Sequence, residues 1–122
     1  MSRRVLVIDD GPTLASEIEA AFAERGFSID HAPDAENGKI LIEAFDYAVI
    51  LLDIMLSRHS GLDLLRDICD YVASTPIVII TTNLPDSMRD LLTSFPAVKL
   101  IVPRPIDPKA LATAVAELLA SP

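Results

Sequence analysis

Short apolar runs, most of them closed by a polar or charged residue, alternate along this chain with segments whose apolar residues recur at helical spacing. The runs are RVLVID (4–9), FSIDHA (27–32), YAVILLD (47–53), PIVIITT (76–82) and VKLIV (98–102). A brief, continuous apolar run is the pattern of a strand covered on both faces, whereas the alternation in 27–32 suits an outer, half-buried one. Between them, Leu14, Ile18 and Phe22 recur four apart, and Gly26 stands where a helix would stop. A second helix is expected after Asp34, with Ile40, Leu41 and Ala44 on its inner stripe. Ser60 to Asp63 has the form of a capping box, opening a helix that carries Leu64, Leu65, Ile68, Cys69 and Val72. Met88, Leu91, Leu92 and Phe95 mark a fourth helix after Pro85; Leu111, Ala114, Val115, Leu118 and Leu119 mark a fifth. Such alternation predicts an α/β fold: a five-stranded parallel sheet with helices on both faces, joined by right-handed crossovers.

At 122 residues the chain is expected to form one domain, residues 1–122. Its residues are 51% apolar but only 5% aromatic, so the core should be built from Val, Ile, Leu and Ala. Ten basic residues against 18 acidic give a net charge of −8, a surface that repels phosphate backbones, so no direct nucleic-acid partner is expected. The single cysteine, Cys69, cannot form an internal disulfide and reads as a small buried hydrophobe in a reducing cytoplasm. The opening MSRRVLVIDD sets two carboxylates where an apolar leader would have to continue. The run YAVILLDIML is interrupted by Asp53 and too short to cross a bilayer. A cytoplasmic protein with no membrane partner is the expectation.

In a doubly wound parallel sheet, ligands bind beyond the carboxyl ends of the strands. There the sequence sets Asp9 and Asp10, Asp53, Thr81 and Thr82, and Arg104 between Pro103 and Pro105. Three carboxylates at one edge repel unless a cation neutralises them, and a hard ion with oxygen ligands, Mg²⁺, suits them best. Asp107 before Pro108 has the form of an N-cap and first helical residue. Neither His59 nor His31 has a cysteine, a histidine or a carboxylate cluster at metal spacing beside it, and both read as surface residues, His31 away from the strand ends.

Taken together at these separations, VLVIDD, VILLDIML with Gly61 eight residues past Asp53, IVIITT and PRPID resemble the receiver domain of two-component response regulators. The resemblance spans the whole chain and implies the (βα)5 flavodoxin-like receiver fold. It implies that Asp53 accepts a phosphoryl group from a histidine kinase or a histidine phosphotransfer protein. Asp9, Asp10, Asp53 and the backbone carbonyl of Met55 would hold Mg²⁺, and Thr81 would bond a phosphoryl oxygen. It further implies a cis Arg104–Pro105 peptide. No output domain follows in this sequence, so signalling to a downstream target by protein–protein contact is expected. The role is that of a switch, not an enzyme.

Four positions depart from the family pattern; the least consequential is Ser57, where a proline is common after the acceptor. Arg104 stands where the family has lysine, exchanging a compact ammonium for a planar fork. Ile101, three positions earlier, replaces the usual aromatic switch residue, and Thr82 replaces a small residue, narrowing access to Asp53. Met55 and Asn83 occupy the positions where receivers tune phosphoryl hydrolysis. These departures leave an alternative, a degenerate receiver acting as a phosphorylation-independent interaction module. A haloacid-dehalogenase-type phosphatase would want Asp-x-Asp after the first strand, where IDDGPT has Gly11. A dinucleotide-binding fold would want G-x-G-x-x-G, which is absent.

Overall fold

The computed structural model describes residues 3–9, 13–53, 65–69, 75–81 and 86–120. In chain order these form β1 (Arg4–Ile8), α1 (Thr13–Glu24), β2 (Ser28–Ala32), α2 (Ala35–Ala44), β3 (Val49–Asp53) and a helical stretch α3 (65–69). Then follow β4 (Ile77–Thr81), α4 (Asp86–Thr93), β5 (Val98–Pro103) and α5 (Pro108–Ala120). All neighbouring strands are parallel, in the order β2-β1-β3-β4-β5. The order reverses between β1 and β3, and a crevice opens at the carboxyl edge of such a switch point.

Strand alternation divides the core in two. Leu6, Ile8, Ile50, Leu52, Ile77 and Ile79 face one side and pack with Leu65, Ile68 and Leu92. Val5, Val7, Val49, Leu51, Val78 and Ile80 face the other and pack with Leu14, Ile18, Phe22, Leu111 and Val115. Burial of each such aliphatic side chain contributes about 1.5–3 kcal/mol. That suffices to fix β1, β3 and β4 as the rigid centre from which the strand ends project. The outer strands are only half covered. Pro103 sits at the end of edge strand β5, where its missing N–H costs little.

One helix buries a different face from that expected, and another leaves one residue of its expected stripe exposed. Gly38 and Ile42, four apart, turn inward on α2, while Ile40 is 62% exposed. The cause is close approach: a Cβ at Gly38 would stand 2.8 Å from Ile8 Cδ1, so the helix can lie this near β1 only on its glycine. On α4, Leu92 carries the core contact and Leu91 is left exposed. In α5 the buried set is Leu111, Ala112 and Val115.

The helix starts follow their caps. The Asp34 carboxylate accepts from the Asn37 N–H at 2.9 Å, and Asp107 accepts from the Lys109 and Ala110 N–H groups at 3.1 and 3.3 Å. The Ser60–Asp63 box lies outside the described residues. At the amino-terminal edge of the sheet, the Tyr47 hydroxyl donates to Asp30 at 2.8 Å, and Arg4 lies 3.4 Å from the same carboxylate. Burial first, and then Asp30, push the Tyr47 phenol well above the ordinary tyrosine range.

Candidate functional site

Asp9, Asp53 and Thr81 are the buried polar or charged residues recorded among the described positions, and all three stand at the carboxyl edge of the sheet. Their placement follows from register. Asp53 closes β3 opposite Ile80, Thr81 closes β4 opposite Pro103, and Asp9 follows directly on β1. The apolar runs that carry them are the most deeply buried strands, so the polar ends are dragged to the rim of the core with little freedom to move.

Arg104 turns inward to meet them. Its N–H donates to the Thr81 carbonyl at 2.9 Å, which extends the β4–β5 ladder past Pro103. The Arg104–Pro105 peptide is cis. The guanidinium Nη2 then lies 3.6 Å from Asp9 Oδ2 and 3.7 Å from Asp53 Oδ2. Those separations are too long for good hydrogen bonds but well within strong Coulombic range at a largely dry site. One nitrogen thus bridges two buried carboxylates as a tethered counter-ion.

The Thr81 hydroxyl is buried and has no hydrogen-bond partner among the described residues. An unmade hydrogen bond of this kind costs about 1–3 kcal/mol, so the site holds a polar group in readiness for a ligand oxygen. The described residues bring together two carboxylates, hard oxygen ligands suited to Mg²⁺, and a hydroxyl that can donate to a phosphoryl oxygen. Asp10, Met55, Thr82 and Asn83 lie outside the described residues, as does His59.

Two further positions bear on the site. Ile101 pairs with Ile79 in the sheet and is half-buried against the core. With Arg89, Thr93, Val98, Lys99 and Leu100 it lines a groove of about 190 Å³ between α4 and β5. His31, expected at the surface away from the strand ends, is instead partly buried, with Nε2 3.0 Å from the Asp9 carbonyl. A larger hollow of about 540 Å³ lies at the opposite sheet edge, among Arg3, Asp46, Tyr47 and the end of α5. Volume alone therefore does not mark the site; buried polar chemistry does.

Comparison with known proteins agrees with this geometry. Residues 5–116 match the family model of the response regulator receiver domain. The transcriptional regulatory protein DltR of Streptococcus agalactiae is 38% identical over 80 residues, 66% of this chain and 36% of DltR. The cell cycle transcriptional regulator CtrA of Caulobacter vibrioides is 37% identical over 78 residues, 64% of this chain and 34% of CtrA. The chain thus spans about a third of the length of these curated relatives. A CheY-like receiver domain from Methanospirillum hungatei superposes with TM-score 0.88 at 19% identity, over 98% of this chain and 94% of that one, a likeness of fold. The response regulator TrrA of Thermotoga maritima, solved in complex with Mg²⁺-BeF, gives TM-score 0.79 at 26% identity, over 97% and 99% of the two chains.

Proposed function

Since this chain belongs to the response regulator receiver domain family, we propose that its part in two-component signalling runs through phosphorylation of Asp53. The observation that carries this reading is the bridge from Arg104 Nη2 to both Asp9 and Asp53, beside a buried Thr81 hydroxyl that has no hydrogen-bond partner among the described residues. Phosphoryl transfer needs little covalent help from a protein; it needs an in-line nucleophile and positive charge where negative charge gathers.

Asp53 supplies the nucleophile. One carboxylate oxygen would bond to phosphorus as the P–N bond of a donor phosphohistidine breaks, the electron pair leaving with the imidazole nitrogen. The Thr81 O–H would donate to a phosphoryl oxygen, relieving its own unmet hydrogen bond. The Arg104 fork, already tethered beside Asp53, would pair with phosphoryl oxygens as charge moves onto them. Asp9, Asp10, Asp53 and the Met55 carbonyl would hold Mg²⁺, which when bound supplies charge neutralisation for the incoming group. The complex of TrrA with Mg²⁺-BeF lends support to this cation.

The donor would be a histidine kinase or a histidine phosphotransfer protein, and the reader a downstream protein. The net charge of −8 favours a protein rather than DNA as what this domain itself touches. No helix among the described residues is long and apolar enough to cross a membrane, and the proposed setting is the cytoplasm.

The test is phosphoryl uptake from a small acyl phosphate, read by intact mass. The unsubstituted protein should gain one phosphoryl group with Mg²⁺ and far less without it; Asp53→Asn should gain none. Equal uptake by Asp53→Asn would dismiss the assignment.

A further inference from the structure

Acids outnumber bases by 18 to 10 in this chain, yet one groove reverses that balance. It runs between α4 and β5, about 190 Å³ in volume, lined by Arg89 and Thr93 from the helix and by Val98, Lys99, Leu100 and Ile101 from the strand. No acid is among these residues. Arg89 and Lys99 are both exposed, and neither has an ion-pair partner among the described residues. The Thr93 hydroxyl donates to the Arg89 and Asp90 carbonyls at 3.0 and 3.1 Å, so its proton is spent on its own helix. The two cations are left as the groove's unspent donors.

Between them the surface is apolar and firmly held. Val98 and Ile101 are partly covered members of the core cluster beneath α4. Ile101 is fixed in register opposite Ile79, and its branched side chain has few χ1 choices. The floor of the groove is therefore already formed. Strand β5 is an edge strand, paired with β4 alone, which leaves the groove open along one side. A cavity of about 150 Å³ is enough to take up benzene, so a groove of this size accepts one bulky apolar side chain.

We propose that this groove docks an acidic segment of another protein. One apolar side chain of that segment sits over Ile101 while carboxylates beside it pair with Arg89 and Lys99, whether or not Asp53 carries a phosphoryl group. Charge selects the occupant. A net charge of −8 opposes an acidic segment over the rest of the surface, so attraction is confined to the place where two unpaired cations flank an apolar slot. A basic segment would meet the opposite: welcome elsewhere and repulsion here. None of this depends on the phosphoryl chemistry at Asp53.

The probe is a short labelled peptide with one leucine set between glutamates, titrated into the full chain by fluorescence anisotropy. Amide shifts should place it at Arg89, Thr93 and residues 98–101. Arg89→Gln with Lys99→Gln should weaken binding roughly tenfold, each exposed pair contributing up to about fivefold. Removing the same two charges at Arg66 and Lys109, both exposed, should leave affinity within about twofold, which separates a local contact from net charge. Serine in place of the peptide's leucine should cost at least about tenfold. Beryllofluoride with Mg²⁺ should change affinity by less than about threefold, since the floor does not rearrange. All four substituted side chains are exposed, and melting checks that each variant folds as the unsubstituted protein does. No binding, binding mapped to another face, or equal losses from the two double variants would overturn the docking site. A gain of tenfold or more with beryllofluoride would overturn its independence from Asp53. Self-association of the unsubstituted protein that Arg89→Gln with Lys99→Gln abolishes would assign the groove to a second copy and overturn the partner.

Discussion

Replacing Arg104 by methionine removes the tethered charge while keeping most of the side chain's length. At about 3.6 Å and an effective dielectric of about 20, each carboxylate contact carries roughly 4–5 kcal/mol of Coulombic attraction. Desolvation of the guanidinium offsets much of that, and Arg104 keeps 24% of its side chain in solvent. Stripping one partner from a buried ionic cluster costs about 3–5 kcal/mol, so partial exposure argues for the lower end, about 3 kcal/mol. For a domain of this size, each kcal/mol moves the melting temperature by about 3–5 °C, giving a loss of roughly 10 °C in metal-free buffer. The sign of the metal effect is the sharper part. Asp9 and Asp53 lose one positive neighbour in this variant, so Arg104→Met should gain more from Mg²⁺ than the unsubstituted protein does. Calorimetric melting of both proteins, with chelator and with saturating Mg²⁺, makes the comparison. The gap should shrink by more than half when Mg²⁺ is present. An equal gap in both buffers, or no gap in either, would refute the view of Arg104 as the resident counter-ion.

Other expectations follow from single observations. The Tyr47 phenol is pushed up by burial and Asp30, so it keeps its proton in the folded state above pH ~10 while the unfolded chain loses its own. Stability is therefore full below about pH 10 and falls as pH rises beyond it, and Tyr47→Phe should flatten that fall in alkaline melts. Asp107→Ala removes the acceptor for two N–H groups at the start of α5 and should cost about 1 kcal/mol in denaturant unfolding. Ile101 has a stiff χ1 and no ring to relocate, so beryllofluoride should shift the amides of residues 85–115 only modestly. Arg104→Lys with Ile101→Tyr should enlarge those shifts; large shifts in the unsubstituted protein would reveal a different relay.

Much of the fold could be read from residues because the strands announce themselves. A run such as VILLD is covered on both faces wherever it lies, and a sheet built of such runs must be parallel with helices above and below. The strand order β2-β1-β3-β4-β5 was not legible from alternation, which constrains direction and not which strand lies beside which; it came only with the resemblance to the flavodoxin-like receiver fold. Helix rotation was misread at α2 for a local reason. Hydropathy favours burying Ile40, but the close approach over Ile8 needs the side-chain-free Gly38 underneath, and that choice exposes Ile40. At the site, Asp9, Asp53 and Thr81 were legible because acids and hydroxyls at the ends of buried strands have no other place to go. The inward turn of Arg104 depends on the loop geometry between Pro103 and Pro105, which residue types alone leave open. His31 was missed because its partner is a backbone carbonyl, which leaves no trace in residue type.

The central claim is that Asp53, and no other carboxylate in the acidic edge, carries the phosphoryl group. Reduction of the phosphorylated protein with borohydride converts an aspartyl phosphate to homoserine, and peptide mass mapping then reads the position. The expected result is homoserine at 53 in the protein treated with phosphodonor and Mg²⁺, at an extent that matches the phosphoryl uptake. Homoserine at Asp9 or Asp10, or stable phosphate on a hydroxyl residue with Asp53 unmodified, would contradict the account.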